Sequence, residues 1–156
     1  MTERVQLVYI INSLGVGGAE IGMCRLFDGL DANSYDITVF ALDEHTAVAH
    51  QIPSWVNVVR LRSASQGRLR AGWRLFQSIY NADVIVGSLF HAAMFAKLGG
   101  LLNRDASVAT WRHRTVFKTK KREIAFKWTT RLTDVVLADS EAVAEILIDD
   151  LRLENH

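Results

Sequence analysis

Residues 5–22 read VQLVYIINSLGVGGAEIG. The β-branched and apolar run Val5–Ile11 has the make-up of a strand. Gly15, Gly17 and Gly18 follow it, and Ala19 and Glu20 then open a segment with Met23, Leu26, Phe27 and Leu30 at helical spacing. A glycine-rich turn leading from a strand into a helix is suited to hold phosphate. Glycine tolerates positive φ and lets the backbone approach a ligand, and the helix start offers N–H groups and the positive end of its dipole. A tight strand-to-helix turn without a ligand is the other reading of the same residues.

The pattern repeats along the chain. Further strand-like runs occur at Ile37–Leu42, Val56–Leu61, Val84–Val86, Val108–Trp111 and Val135–Ala138. Most are continuous rather than alternating, as expected of parallel strands covered on both faces. Between them lie helical stripes: Leu69, Trp73, Phe76 and Tyr80, then Ile124, Ala125, Trp128 and Leu132 within 121–132. A last helix starts near Asp139 or Ser140, either a good N-cap, and buries Val143, Ile146, Leu147 and Leu151. Alternating strand and helix predicts an α/β domain with a doubly wound parallel sheet, Rossmann-like, in three α/β/α layers. Ligands in such sheets bind beyond the carboxyl ends of the strands, at the switch point beside the first one. The glycine turn sits there.

Composition agrees with one folded domain. The chain has 156 residues, 49% hydrophobic and 22% charged, with a single proline, Pro53. Its single cysteine, Cys24, forms no internal disulfide and reads as a small buried hydrophobe, which makes the cytoplasm the expected compartment. The N-terminus lacks the features of a signal peptide. The apolar stretch 84–102 approaches membrane-spanning length, but His91 and Lys97 interrupt it and it divides into a strand and a helix. The net charge of +1 conceals an asymmetry: residues 112–131 hold eight Lys or Arg against Glu123 alone. Five arginines and no acid lie between His45 and Ala82. Such patches are either solvated faces or surfaces for an anionic partner.

Several chemistries are disfavoured. Counting from Gly15, the third glycine of a dinucleotide fingerprint falls on Glu20, and Asp43 lies 26 residues beyond Gly17 rather than roughly 20. No Lys-Ser or Lys-Thr follows the glycines, so a Walker A loop fails. His45, His50 and His156 have no partners at metal-ligand spacing, and no metal is expected. Asp139 and Glu141 flank a helix cap and do not suggest a hydrolytic carboxylate pair.

The ordered set resembles a family. Gly15–Glu20 as G-x-G-G-A-E after a strand is similar to the N-terminal domain of family-4-type glycosyltransferases of the two-domain B-type fold. DVIVGSLFHAAMFAKLGGLL, SVATWRHRT and DVVLADSEAVAEIL resemble that family's fourth, fifth and sixth strands with their following segments. The resemblance covers nearly the whole chain. It implies a cleft domain in which Gly15, Gly17 and Gly18 approach the donor diphosphate, with Glu20 fixing the loop or capping the helix. His91 lines the cleft or is satisfied at a helix start. A histidine near the reaction centre falls on His113, or Arg112 replaces it with His113 as a neighbour. Arg112 and Arg114 are placed to meet phosphate charge, although an arginine cannot shuttle a proton near neutral pH.

The resemblance further implies transfer from a nucleotide-sugar donor to a sugar or lipid-linked acceptor, with retention and without metal or other cofactor. A second, donor-binding domain with paired glutamates would lie beyond residues 1–156, so this chain reads as the acceptor-side half and as inactive alone. The basic stretch 112–131, with Phe117, Phe126 and Trp128, then faces an anionic membrane at its cytoplasmic side. Nucleic acid is not an expected partner, because no binding motif accompanies the charges. A non-catalytic phosphate- or nucleotide-binding module, and an NAD-dependent oxidoreductase domain, are the readings from other classes.

Overall fold

Strands that are apolar on both sides need cover on both faces, and the fold supplies it. The computed structural model describes residues 4–62, 67–113 and 119–151, apart from the side chains of 150 and 151. In chain order these form β1 (Val5–Ile11), α1 (Gly18–Asp28), β2 (Tyr35–Ala41), β3 (Asn57–Arg60), α2 (Arg68–Tyr80), β4 (Val84–Ser88) and α3 (Phe90–Leu102). Then come β5 (Ser107–Arg112), α4 (Lys120–Thr129), β6 (Val135–Ala138) and α5 (Glu141–Leu151). The described strands pair in parallel in the order β3-β2-β1-β4-β5-β6, a single doubly wound sheet.

Alternate residues of β1 serve opposite faces. Leu7, Tyr9 and Ile11 pack with Met23, Cys24 and Phe27 of α1, where the Tyr9 and Phe27 rings meet edge to face at 5.4 Å. Val8 and Ile10 pack with Ala71, Leu75 and Ile79 of α2 and with Ala92 and Ala96 of α3. Each large apolar side chain fully removed from water contributes about 1.5–3 kcal/mol, so the central strand is the strongest part of the sheet.

The apolar stretch 84–102 divides into β4 and α3 as its sequence suggests, and no helix among the described residues is long and apolar enough to cross a membrane. Cys24 is buried. Ser140 caps α5, its Oγ accepting from the Val143 N–H at 3.4 Å, and Val143 and Leu147 are buried while Ile146 is half-buried.

Two helical stripes differ from expectation. On α2 the buried face is Ala71, Leu75 and Ile79, whereas Leu69, Trp73, Phe76 and Tyr80 face solvent. In residues 120–132, α4 ends at Thr129 and a 3₁₀ turn continues to Leu132; its buried residue is Phe126, with Ile124 and Trp128 exposed. The first case is settled by what the inner face meets: Ala71, Leu75 and Ile79 pack with Val8, Ile10 and Ile85 in one cluster.

Phe126 is held beneath a buried cation. The Lys97 Nζ lies 3.7 Å from the centre of the Phe126 ring and donates to Thr129 Oγ1 at 3.1 Å and to the Phe126 carbonyl at 3.4 Å. Burial, with the Arg112 charge nearby, pushes the Lys97 ammonium down to about 8. Lys97 thereby ties α4 to α3.

The backbones of β4 and α3 come close together at Gly87. A Cβ there would stand 2.7 Å from the Ala92 carbonyl oxygen and the Ala93 Cα, and 2.8 Å from the Ala96 Cβ. The backbone then turns sharply: Leu89 has φ 72°, the one positive-φ non-glycine among the described residues. Gly87→Ala therefore forces backbone apart, and we expect a loss of about 3 kcal/mol in urea unfolding. Gly72→Ala, with open space around it, should change stability by less than about 1 kcal/mol in the same measurement.

Candidate functional site

Every strand of a parallel sheet ends at the same edge, so the β1–α1 turn, the β4–α3 turn, the end of β5 and the β6–α5 turn are neighbours. Gly17 is the N-cap of α1 and carries no side-chain cap. Its φ of −170° is ordinary extended backbone, and Gly67 is the only described glycine with positive φ. The glycine at 17 answers a different need: a Cβ there would run into the Glu20 carboxylate. Glu20 is itself buried. Gly18 has nothing within 4 Å of where its Cβ would stand, so the helix start is open on that side. The first N–H groups of α1 have no acceptor within the helix and carry the positive end of its dipole.

His113 lies just beyond β5 with 7% of its side chain exposed. Its Nδ1–H donates to Asp139 Oδ2 at 3.2 Å, and Nε2 accepts the Ser88 hydroxyl at 2.9 Å. Burial lowers the imidazole pKa, while the Asp139 hydrogen bond and the charges of Asp139 and Glu20 oppose the shift. The ring is thus neutral near neutral pH, in the Nδ1–H tautomer that Asp139 selects. The order Ser, His, Asp invites comparison with an acyl-transfer relay. Ser88 is fully buried, however, and presents no nucleophile.

Asn12, at the end of β1, reaches across to α3. Its Oδ1 accepts the Ala92 N–H at 3.1 Å, replacing the cap that Leu89 does not supply. His91 is exposed beside it and takes Arg122 Nη2 on Nε2 at 3.3 Å. A guanidinium only donates, so the proton of His91 stands on Nδ1 and the Asn12 amide nitrogen at 3.5 Å is a contact rather than a hydrogen bond.

The edge of the sheet therefore gathers Gly15, Gly17, Gly18, Glu20, His91 and His113. Glu20 and His113 are close enough to couple electrostatically. Arg112 closes β5 and lies 5.2 Å from the Phe126 ring. Arg114 lies outside the described residues. Sequence reading did not single out Ser88 or Asn12, took Arg122 only as part of the basic stretch, and treated Asp139 only as a cap. They are brought in by strand register and by the approach of α4, which no local pattern announces. Among the described residues no group of three or more His, Cys, Asp or Glu is arranged to hold a metal ion.

A doubly wound sheet with an open glycine turn at its switch point defines the structural class. Within that class the chain belongs to Glycosyltransferase Family 4, whose model matches residues 16–156. Among solved structures, Anabaena Alr3699/HepE in complex with UDP matches with a TM-score of 0.71 at 17% identity, over 94% of this chain and 41% of that one. The same protein with UDP and glucose matches with a TM-score of 0.70 at 17% identity, over 93% and 41%. The TrkA-N domain of the inner membrane protein ybaL from Escherichia coli matches with a TM-score of 0.51 at 13% identity, over 98% and 100%. At these identities the likeness is one of fold. The chain spans 41% of the length of HepE. No curated protein matched.

The His113 environment has a pH signature. Above the ordinary imidazole value of 6.5 both folded and unfolded forms are neutral. As the pH falls through that value the unfolded chain takes up a proton that the folded chain resists, so stability declines until the folded value is passed. Urea unfolding at pH 7.5 and 5.5 should show a loss on acidification that His113→Gln reduces. Asp139→Asn should enlarge that loss, because removing the carboxylate lowers the folded value further.

Proposed function

We propose that this chain is the N-terminal, acceptor-side half of a nucleotide-sugar-dependent glycosyltransferase. The observation that carries the reading is the family match over residues 16–156 together with an uncapped helix start at Gly17–Gly18 facing the same edge as His113. The N–H groups at the start of α1 meet the donor diphosphate, with Arg112 and Arg114 adding positive charge. Gly18 leaves the room a phosphate needs, and Glu20 holds Gly17 in place from behind. Transfer proceeds with retention and without a metal ion, the developing phosphate charge being met by N–H groups and basic side chains.

His113 lines the acceptor side of the cleft, its ring oriented by Asp139 and Ser88, and His91 stands at the rim. The acceptor is a sugar or a lipid-linked sugar. The basic stretch 112–131 faces an anionic membrane with Lys120, Lys121 and Trp128; Phe126 takes no part because it is buried under Lys97. Phe117 and Lys118 lie outside the described residues. The donor's nucleotide is held mainly by a second domain beyond residues 1–156, so these residues alone bind the donor weakly and do not transfer sugar.

Titration of the labelled chain with UDP, followed by amide NMR, should shift Gly17, Gly18 and Ala19 at millimolar ligand. Gly18→Val should weaken that binding about tenfold, because its side chain crowds the phosphate away from the N–H groups at a cost of about one charge-assisted hydrogen bond, without lowering stability. Saturable binding of NAD at the same amides would replace this reading with an oxidoreductase. Sugar transfer by residues 1–156 alone, followed with radiolabelled UDP-glucose, should stay at background; measurable transfer would overturn the half-enzyme assignment.

A further inference from the structure

Glu20 is the only buried acid among the described residues, 8% exposed. Its carboxylate makes no hydrogen bond and no ion pair with any described residue. Glu20 stands at the third position of α1, from which a glutamate can reach back to the N-cap N–H. No such bond forms here. His113 cannot serve the carboxylate, because Asp139 and Ser88 engage both of its ring nitrogens. The nearby Tyr9 Oη is fully enclosed and has no partner of its own. A carboxylate only accepts, and burying one without donors is costly. Such a group points to a donor that arrives with a ligand.

The carboxylate is placed to receive one. Oε2 stands against Gly17, where a Cβ would be, and Oε1 lies 3.8 Å from that point. Neither oxygen is among the fully enclosed polar atoms that lack a partner. The carboxylate therefore keeps a share of the residue's remaining exposure, beside half-buried Gly17 and exposed Gly18. The same turn offers free donors, since the N–H groups of Gly17, Gly18 and Ala19 have no acceptor among the described residues. One helical turn thus sets donors that suit phosphate oxygens beside an acceptor that suits a hydroxyl. A cation would also satisfy the carboxylate, but the positive end of the α1 dipole repels it. The matching ligand is a sugar hydroxyl next to a phosphate.

We infer that Glu20 reads a sugar hydroxyl at the glycine turn and couples its arrival to phosphate binding at the start of α1. This role rests on the reading that the start of α1 meets phosphate. With no hydroxyl bound, the Glu20 charge offsets the helix dipole and opposes the phosphate. A hydroxyl that donates to Oε1 draws on that charge and weakens the opposition. Sugar and phosphate then bind better together than apart, and the coupling is reciprocal. The hydroxyl belongs either to the donor's own sugar or to an acceptor sugar. In both cases Glu20 orients it beside the diphosphate and takes no proton from it.

Amide NMR titrations of the full chain with UDP, UDP-glucose and methyl α-D-glucopyranoside test this. Glu20→Gln keeps the shape of the side chain and removes its charge. UDP should bind this variant about tenfold tighter than the parent, which a purely structural glutamate would not produce. If the hydroxyl is the donor's own, UDP-glucose should bind the parent about fivefold tighter than UDP. If it is an acceptor's, saturating glycoside should instead raise UDP affinity by about that factor. Either gain should vanish in Glu20→Gln. Urea unfolding should find Glu20→Gln at least as stable as the parent, since no internal bond is lost. UDP affinity unchanged in Glu20→Gln, or neither gain in the parent, would overturn the role of Glu20 while leaving phosphate binding at α1 intact. A clear loss of stability in Glu20→Gln would also overturn it, by revealing an internal partner. No UDP shift at Gly17, Gly18 and Ala19 in either chain would remove the phosphate reading itself, and the coupling with it.

Discussion

The seat of α3 on β4 at Gly87 governs the geometry of the sheet edge. With no side chain at 87, the first turns of α3 come within contact of the strand backbone. The chain must then reverse within one residue, and Leu89 takes the positive φ that this demands. Strain of this kind costs of order 1–3 kcal/mol and persists only where the surroundings hold it. Here they do: the Leu89 N–H donates to the Trp111 carbonyl at 3.3 Å and its carbonyl accepts the Ala93 N–H at 2.8 Å. The result places Ser88 beneath His113 and His91 beside Asn12, which links three strand ends in one arrangement.

Electrostatics at that edge are set by burial and then corrected by partners. His113 is pushed towards its neutral form by loss of water, and Asp139 restores part of the charged form's stability while choosing the tautomer. Lys97 shows the same competition away from the edge. Its ammonium is buried, answered by a hydroxyl, a carbonyl and the face of Phe126, and still lowered to about 8. A buried ion with such partners specifies position more than it adds stability. Its effect is to hold α4 where Arg122 reaches His91.

Much of the fold was legible because continuous apolar strands and glycine punctuation are local signals. β1 and β6 begin and end where their β-branched runs do, and the glycine turn leads into α1 as its composition requires. Reading failed where periodicity admits two faces. Leu69, Trp73, Phe76 and Tyr80 make the stronger apolar stripe, yet α2 turns Ala71, Leu75 and Ile79 inward. In α4 the buried position is Phe126, selected by Lys97 from another helix. The glycine at 17 was read as allowing positive φ or close approach of a ligand; its φ is an extended −170°, and the place of a Cβ is taken by the Glu20 carboxylate.

The candidate site divides in the same way. Gly15, Gly17, Gly18 and Glu20 are contiguous, and a strand–turn–helix unit puts them at the switch point whatever the rest of the chain does. His113 and Arg112 follow from the end of β5, but the choice of His113 as the residue buried and doubly bonded depends on Ser88 and Asp139, 25 and 26 residues away. The sequence by itself determined the strand order's raw material, the glycine turn and the family. Only the tertiary structure decided which stripe of α2 is outside, which ring nitrogen of His113 holds the proton and what fills the space behind Gly17. These depend on contacts between distant segments, and hydrophobic periodicity reports only how each segment meets its own surroundings.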